Sequence, residues 1–125
     1  QPVLNYSKDY TVKGKLIHSE FIFDEIRIPL TPQSNTPKAV QILEQILVSE
    51  NKVSIEHAKA IFGQEYPRYI HDAETNPRIL IHIEPQRVWL KGKFVTPFRT
   101  RNELRTKISL QFVERIGKET DIHLA

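Results

Sequence analysis

Arg78-Ile-Leu-Ile-His-Ile-Glu84, Pro85-Gln86 and Arg87-Val-Trp-Leu-Lys-Gly-Lys-Phe-Val95 form the stretch whose reading decides the fold. In the first run Leu80, His82 and Glu84 fall on one side of a pleat and Ile79, Ile81 and Ile83 on the other. Pro85-Gln86 interrupts the pattern. It resumes with Val88, Leu90, Gly92 and Phe94 on one face and Arg87, Trp89, Lys91, Lys93 and Val95 on the opposite one, a half-solvated antiparallel partner. The pair predicts a hairpin.

Working outward, the period changes after Pro97 from two to nearly four. Leu104, Ile108, Phe112 and Ile116 recur four apart, with Val113 beside them, so an amphipathic helix is expected over about 99 to 116. Thr100 and Glu103 fit a capping box, and Gly117 suits the left-handed residue that ends such a helix. Ile122 and Leu124 in Asp121-Ile-His-Leu-Ala125 then stand at strand spacing.

Toward the N-terminus, Val3 to Tyr6 reads as extended chain, Ser7-Lys8-Asp9 as a turn and Thr11 to Ile17 as a short edge strand around Gly14. Phe21 to Leu30 is a firmer strand. Ile22, Asp24, Ile26, Ile28 and Leu30 share one parity; Phe21, Phe23, Glu25 and Arg27 share the other. Thr36 as N-cap with Pro37 in the first turn opens a helix to about Glu50, whose apolar side is Ala39, Val40, Leu43, Ile46 and Leu47. A second short helix is expected from Ser54 to Gly63, with Ile55, Ala58, Ile61 and Phe62 on one face, and 66 to 77 is expected to be a surface connection.

The resulting order, β, α, a short extra helix, β, β, α, β, is that of an α+β ferredoxin-like sandwich (βαββαβ), with two helices on one face of an antiparallel sheet. The expected core includes Ile42, Leu43, Ile81, Leu104, Ile108 and Phe112. At 125 residues the chain is one domain's worth, and its formal charge of +3 is ordinary for solubility without naming a polyanionic partner. There is no cysteine, so disulfides and thiolate metal sites are excluded. Apolar runs are strand-sized, well short of the roughly 20 residues of a membrane helix. Gln1-Pro2-Val3-Leu4 opens mid-pattern without a methionine, so the chain is expected to be a soluble piece of something larger.

Candidate chemistry is sparse. His82 and Glu84 point the same way off one strand, but His18, His57, His71 and His123 lie in other elements without ligand spacing. Asp24-Glu25 and Asp72 with Glu74 read as solvated carboxylates rather than an acid and base. Among four glycines there is no phosphate-cradling loop and no nucleophile elbow. No catalytic, cofactor or metal residue is therefore assigned, and no enzyme is expected. Lys91-Gly-Lys-Phe-Val95 loosely matches the signature of RNA-recognition sheets, but Lys93 stands where a stacking aromatic belongs and Phe94 shares the core parity, so no nucleic-acid partner is expected. Arg99, Arg101, Arg105 and Lys107 at the helix start can meet phosphate or form a solvated face.

Several separate stretches nevertheless fall into one register. Pro2-Val-Leu-Asn-Tyr-Ser7, Phe23-Asp-Glu-Ile-Arg-Ile-Pro-Leu30 with Lys38-Ala39-Val40 and Ile42-Leu43, Leu90 to Arg105 with Phe94-Val95 and Pro97, and Leu104, Ile108 and Phe112 before Asp121-Ile122 and Leu124-Ala125 together resemble the small-conductance mechanosensitive ion channel family. The likeness runs over most of the chain except Val53 to Pro77. It implies that residues 1–10 are the exit of an upstream β domain and 11–125 a C-terminal α+β domain on the cytoplasmic side of the cell membrane. There seven copies would form a hollow cage below the pore, through which ions and small solutes pass, with the membrane helices and all pore residues upstream. The alternative is an autonomous ferredoxin-like module that binds a ligand or RNA.

Overall fold

The computed structural model describes residues 5–12, 15–62 and 79–125. In chain order these hold strands β1 (Asn5–Val12) and β2 (Lys15–Leu30), helix α1 (Thr36–Phe62), strands β3 (Ile79–Ile83) and β4 (Val88–Pro97), a 3-10 turn (Phe98–Thr100) and helix α2 (Arg101–Ile116). The strands form one four-stranded sheet in the order β1-β2-β4-β3, and every neighbouring pair is antiparallel. The architecture is α+β.

Alternation on the two central strands decides where the helices lie. Ile22, Ile26, Ile28 and Leu30 of β2 and Val88, Leu90, Gly92 and Phe94 of β4 are buried on one face. Their register partners on the other face, Glu25 with Lys93, Arg27 with Lys91 and Pro29 with Trp89, remain at least partly exposed. Ala39, Ile42, Leu43, Ile46 and Leu47 of α1 and Ile108, Phe112 and Ile116 of α2 close the buried face into one core, joined by Ile122. Gly92 sits on β4 under Leu43 and Leu47 of α1. A Cβ there would lie 2.7 Å from Leu47 Cδ1 and 3.4 Å from Ile26 Cγ2 and Leu43 Cδ2, so the absent side chain is what lets the two layers meet.

Several expectations are corrected. The two helices read around 36–50 and 54–63 are one helix of 27 residues, about 40 Å long at 1.5 Å per residue. The residues between them, Asn51-Lys52-Val53, include neither proline nor glycine, and Asn51 is buried with its Oδ1 accepting a hydrogen bond from Val95 N at 2.8 Å. That bond satisfies β4 beyond Ile79, where its partner strand has ended. The turn expected at Ser7-Lys8-Asp9 lies inside β1, which pairs with β2 from Asn5↔Ile22 to Val12↔Lys15, and the short strand placed at 11–17 is parts of these two strands. Ile81, expected inside, is 49% exposed, because β3 is the sheet edge beyond the helix-covered strips; Leu104 is partly buried against the core.

Both ends of α2 also differ from expectation. Thr100 precedes the helix without a side-chain cap bond, since the 3-10 turn already leads the chain into helical geometry. Gly117 is right-handed (φ −61°, ψ −20°) and its N–H bonds back to Val113 O and Arg115 O. The cap of α1 is Asn35 rather than Thr36: its Oδ1 accepts from Lys38 N at 3.2 Å and its carbonyl from Ala39 N at 3.0 Å. The last strand reduces to a single antiparallel bridge, Leu30↔Leu124. The proposed connection at 66 to 77 and residues 1–4, with Gly14, His71, Asp72 and Glu74, lie outside the described residues.

Candidate functional site

The densest polar constellation joins the loop after β2 to the C-terminal segment. Thr31 N donates to His123 O (2.9 Å), Ala125 N to Pro29 O (3.1 Å) and Asn35 N to Asp121 O (2.7 Å). Ser34 is buried; its Oγ donates to His123 O and accepts from His123 N. Around this backbone zipper Lys38 Nζ lies 3.1 Å from both Glu119 Oε2 and Asp121 Oδ1, and Asn35 Nδ2 donates to Asp121 Oδ2 at 3.0 Å. The hydrogen bonds to Glu119 and Asp121 raise the Lys38 ammonium pKa, while those from Asn35 and Lys38 lower the Asp121 carboxyl. These bonds tie the loop after β2 to the C-terminal segment, so the constellation works as a clasp. The strand spacing of Asp121-Ile-His-Leu-Ala125 and the loop Thr31-Pro-Gln-Ser-Asn35 were each legible in the sequence; their pairing was not.

A crevice of about 270 Å³ opens where α1 and α2 diverge, lined by Glu50, Val53, Ser54 and His57 on one side and by Pro97, Thr100, Glu103, Leu104 and Lys107 on the other. Glu50 is buried but fully occupied: Gln111 Nε2 donates to its Oε1 at 2.8 Å and Lys107 Nζ pairs with its Oε2 at 3.2 Å. The basic run at the start of α2 is likewise dispersed into structural roles. Arg101 stacks on the Phe98 ring at 4.6 Å, and Arg105 donates to Glu25 O at 2.8 Å and stands 3.5 Å from Asp24 Oδ2. Arg101, Arg105 and Lys107 thus each meet a different neighbour.

Asp24 and Glu25 are separated by the pleat. Glu25 pairs with Arg27 at 2.9 Å and Asp24 Oδ1 accepts from Glu25 N, so they do not form an acid and base pair. His82 Nε2 comes within 3.8 Å of Glu84 Oε1, but that oxygen also accepts from Trp89 Nε1 at 2.9 Å. His123 Nε2 bonds Thr120 O, and His57 lies on α1. Among the described residues no group of three or more His, Cys, Asp or Glu side chains converges on a metal position, and no helix is long and apolar enough to cross a membrane.

Spacing along β4 placed Arg87, Trp89, Lys91 and Lys93 on a half-solvated face, but not the rows they form with neighbouring strands. Cross-strand register puts His82, Trp89 and Pro29 in one row, Leu80, Lys91 and Arg27 in the next, and Lys93 with Glu25 in a third. Arg87 lies over the Trp89 ring, 5.9 Å from its centroid. Comparisons with protein-family models, with curated proteins and with solved structures give no match.

Proposed function

We propose that this chain is the cytoplasmic vestibule domain of a channel of the small-conductance mechanosensitive family, part of a cage that ions and small solutes cross. The observation that carries the reading is where the residues of the resemblance come together. Phe23 to Leu30 pairs along its length with Val88 to Val95, and Asp121 to Ala125 is zipped onto Pro29, Leu30 and Thr31, so motifs nearly a hundred residues apart in sequence occupy one neighbourhood. The finer fold is proposed on the same ground. With Leu124 as the vestige of a last strand, the lateral order becomes C-terminal segment, β2, β4, β3, with every neighbour antiparallel, which is the split βαβ order of a ferredoxin-like sheet.

On this reading the domain performs no catalysis and requires no cofactor. Its parent is a membrane protein whose upstream helices hold the pore, and its copies assemble around an axis through heterologous contacts, seven to a ring. Side chains along the solute path would bias ion passage through their charge. The test is the full-length gene product. Several upstream apolar segments of membrane length and a heptameric mass in detergent by light scattering are expected. An encoded chain with no such segment that purifies as a monomer would remove the proposal and leave the autonomous ferredoxin-like module.

A further inference from the structure

The open face of the sheet carries chemistry that neither the clasp nor the core uses. Among the described residues Arg27, Arg87, Lys91 and Lys93 share it with the carboxylates Glu25 and Glu84, each of which is already engaged, Glu25 by Arg27 and Glu84 by Trp89 and His82. Among the described residues the Lys91 and Lys93 side chains make no hydrogen bond and no ion pair. Side chains two apart on a strand stand about 6.6 to 6.8 Å from each other on the same face. The ring row of His82, Trp89 and Pro29 therefore lies one such step from the cation row of Lys91 and Arg27, and a second step leads to Lys93. That interval is comparable to the reach from a nucleobase to its own phosphate.

We propose that this face binds a single-stranded nucleic acid, with a base stacked on the Trp89–Arg87 pair beside His82 and successive phosphates on Lys91 with Arg27 and on Lys93. Charge complementarity selects a polyanion, and the planar row selects one that carries rings. Partly exposed side chains in successive rows suit a flexible strand laid across them. The Lys-Gly-Lys-Phe-Val run lacks a stacking aromatic at the position after Gly92, but the register supplies one from Trp89 of the same strand and His82 of its neighbour. This inference stands apart from the channel reading and neither requires nor excludes it.

Trp89 is the chain's single tryptophan, so its emission reports this face alone. The intact chain is titrated with a uridine 12-mer, with uridine monophosphate and with heparin, a polyanion without bases. Quenching by the 12-mer is expected, with affinity falling with salt at a log–log slope of about −1.4, from two phosphates at about 0.7 each. Heparin is expected to displace the 12-mer and restore emission. Lys91→Glu combined with Lys93→Glu, both partly exposed positions, is expected to weaken binding at least tenfold with an unchanged circular dichroism spectrum. Should that variant misfold, the wild-type salt slope and heparin competition still decide. Unchanged emission through the millimolar range, equal affinity for the mononucleotide, or quenching by heparin itself would each overturn the proposal.

Discussion

Gly92 is the residue whose substitution tests the packing most sharply. Leu47, Leu43 and Ile26 already occupy the space a side chain would need, and all three are buried, so relief requires movement in the core. Gly92→Val is expected to cost about 1–3 kcal/mol through overpacking, measured as a lower urea midpoint at unchanged slope. An unshifted midpoint would mean that α1 does not lie this close to β4. Phe112 poses the opposite test, since it is 1% exposed and fills the space between α2 and the sheet. Phe112→Ala is expected to remove about 3–5 kcal/mol by leaving a cavity, and a loss below about 1 kcal/mol would place that ring outside the core. The burial of Ile108, Phe112 and Phe94 was legible because each follows a clear period. Ile81 was not, because parity gives the face on which a side chain lies and not whether that part of the face is covered.

At the scale of elements, β4, α2 and the Phe21–Leu30 part of β2 were legible from alternation and four-residue spacing, and the antiparallel pairing of β3 with β4 from the break at Pro85-Gln86; the Lys15–Glu20 part of β2 was not. The continuity of α1 through Asn51-Lys52-Val53 was not, since a polar interruption in an apolar stripe looks the same whether the helix ends or sends an asparagine to cap a strand. The capping box at Thr100 failed for a related reason: the 3-10 turn, a tertiary feature, sets the start of α2. The clasp was invisible because Lys38 and Asp121 are far apart in sequence, but its electrostatics are testable. Asp121 is depressed, so its contribution is complete above the ordinary carboxylate value of about 3.9 and is lost as pH falls through its lower folded value. Lys38 is raised, so its contribution is complete below about pH 10.4 and is lost as pH rises through its higher folded value. Lys38→Met is therefore expected to lower Tm near neutrality by a small, salt-sensitive amount, given the partial exposure of both groups, and the gap to wild type should close as Asp121 protonates. A gap that stays constant from pH 7 to strongly acidic conditions would show that the lost contact is not ionic.

For the whole molecule the question is assembly and function. Among the described residues the exposed large aliphatics are spread over several elements, Val48 and Val53 on α1, Leu80, Ile81 and Ile83 on β3, Leu110 and Val113 on α2 and Leu124 at the C-terminus, and identical domains of charge +3 repel mildly at low salt. Light scattering at micromolar concentration is expected to report these 125 residues as a monomer or weak dimer, with ring formation dependent on the upstream parts of the proposed channel. A stable heptamer from these residues alone would place the ring-forming contacts on this domain's own flanks. The measurement that bears most directly on the channel reading is electrical. The full-length gene product, reconstituted into liposomes and held in an excised patch, is predicted to pass discrete currents that appear when suction tenses the membrane and disappear on its release. Patches that contain the protein and remain silent up to the tension at which the bilayer ruptures would contradict it.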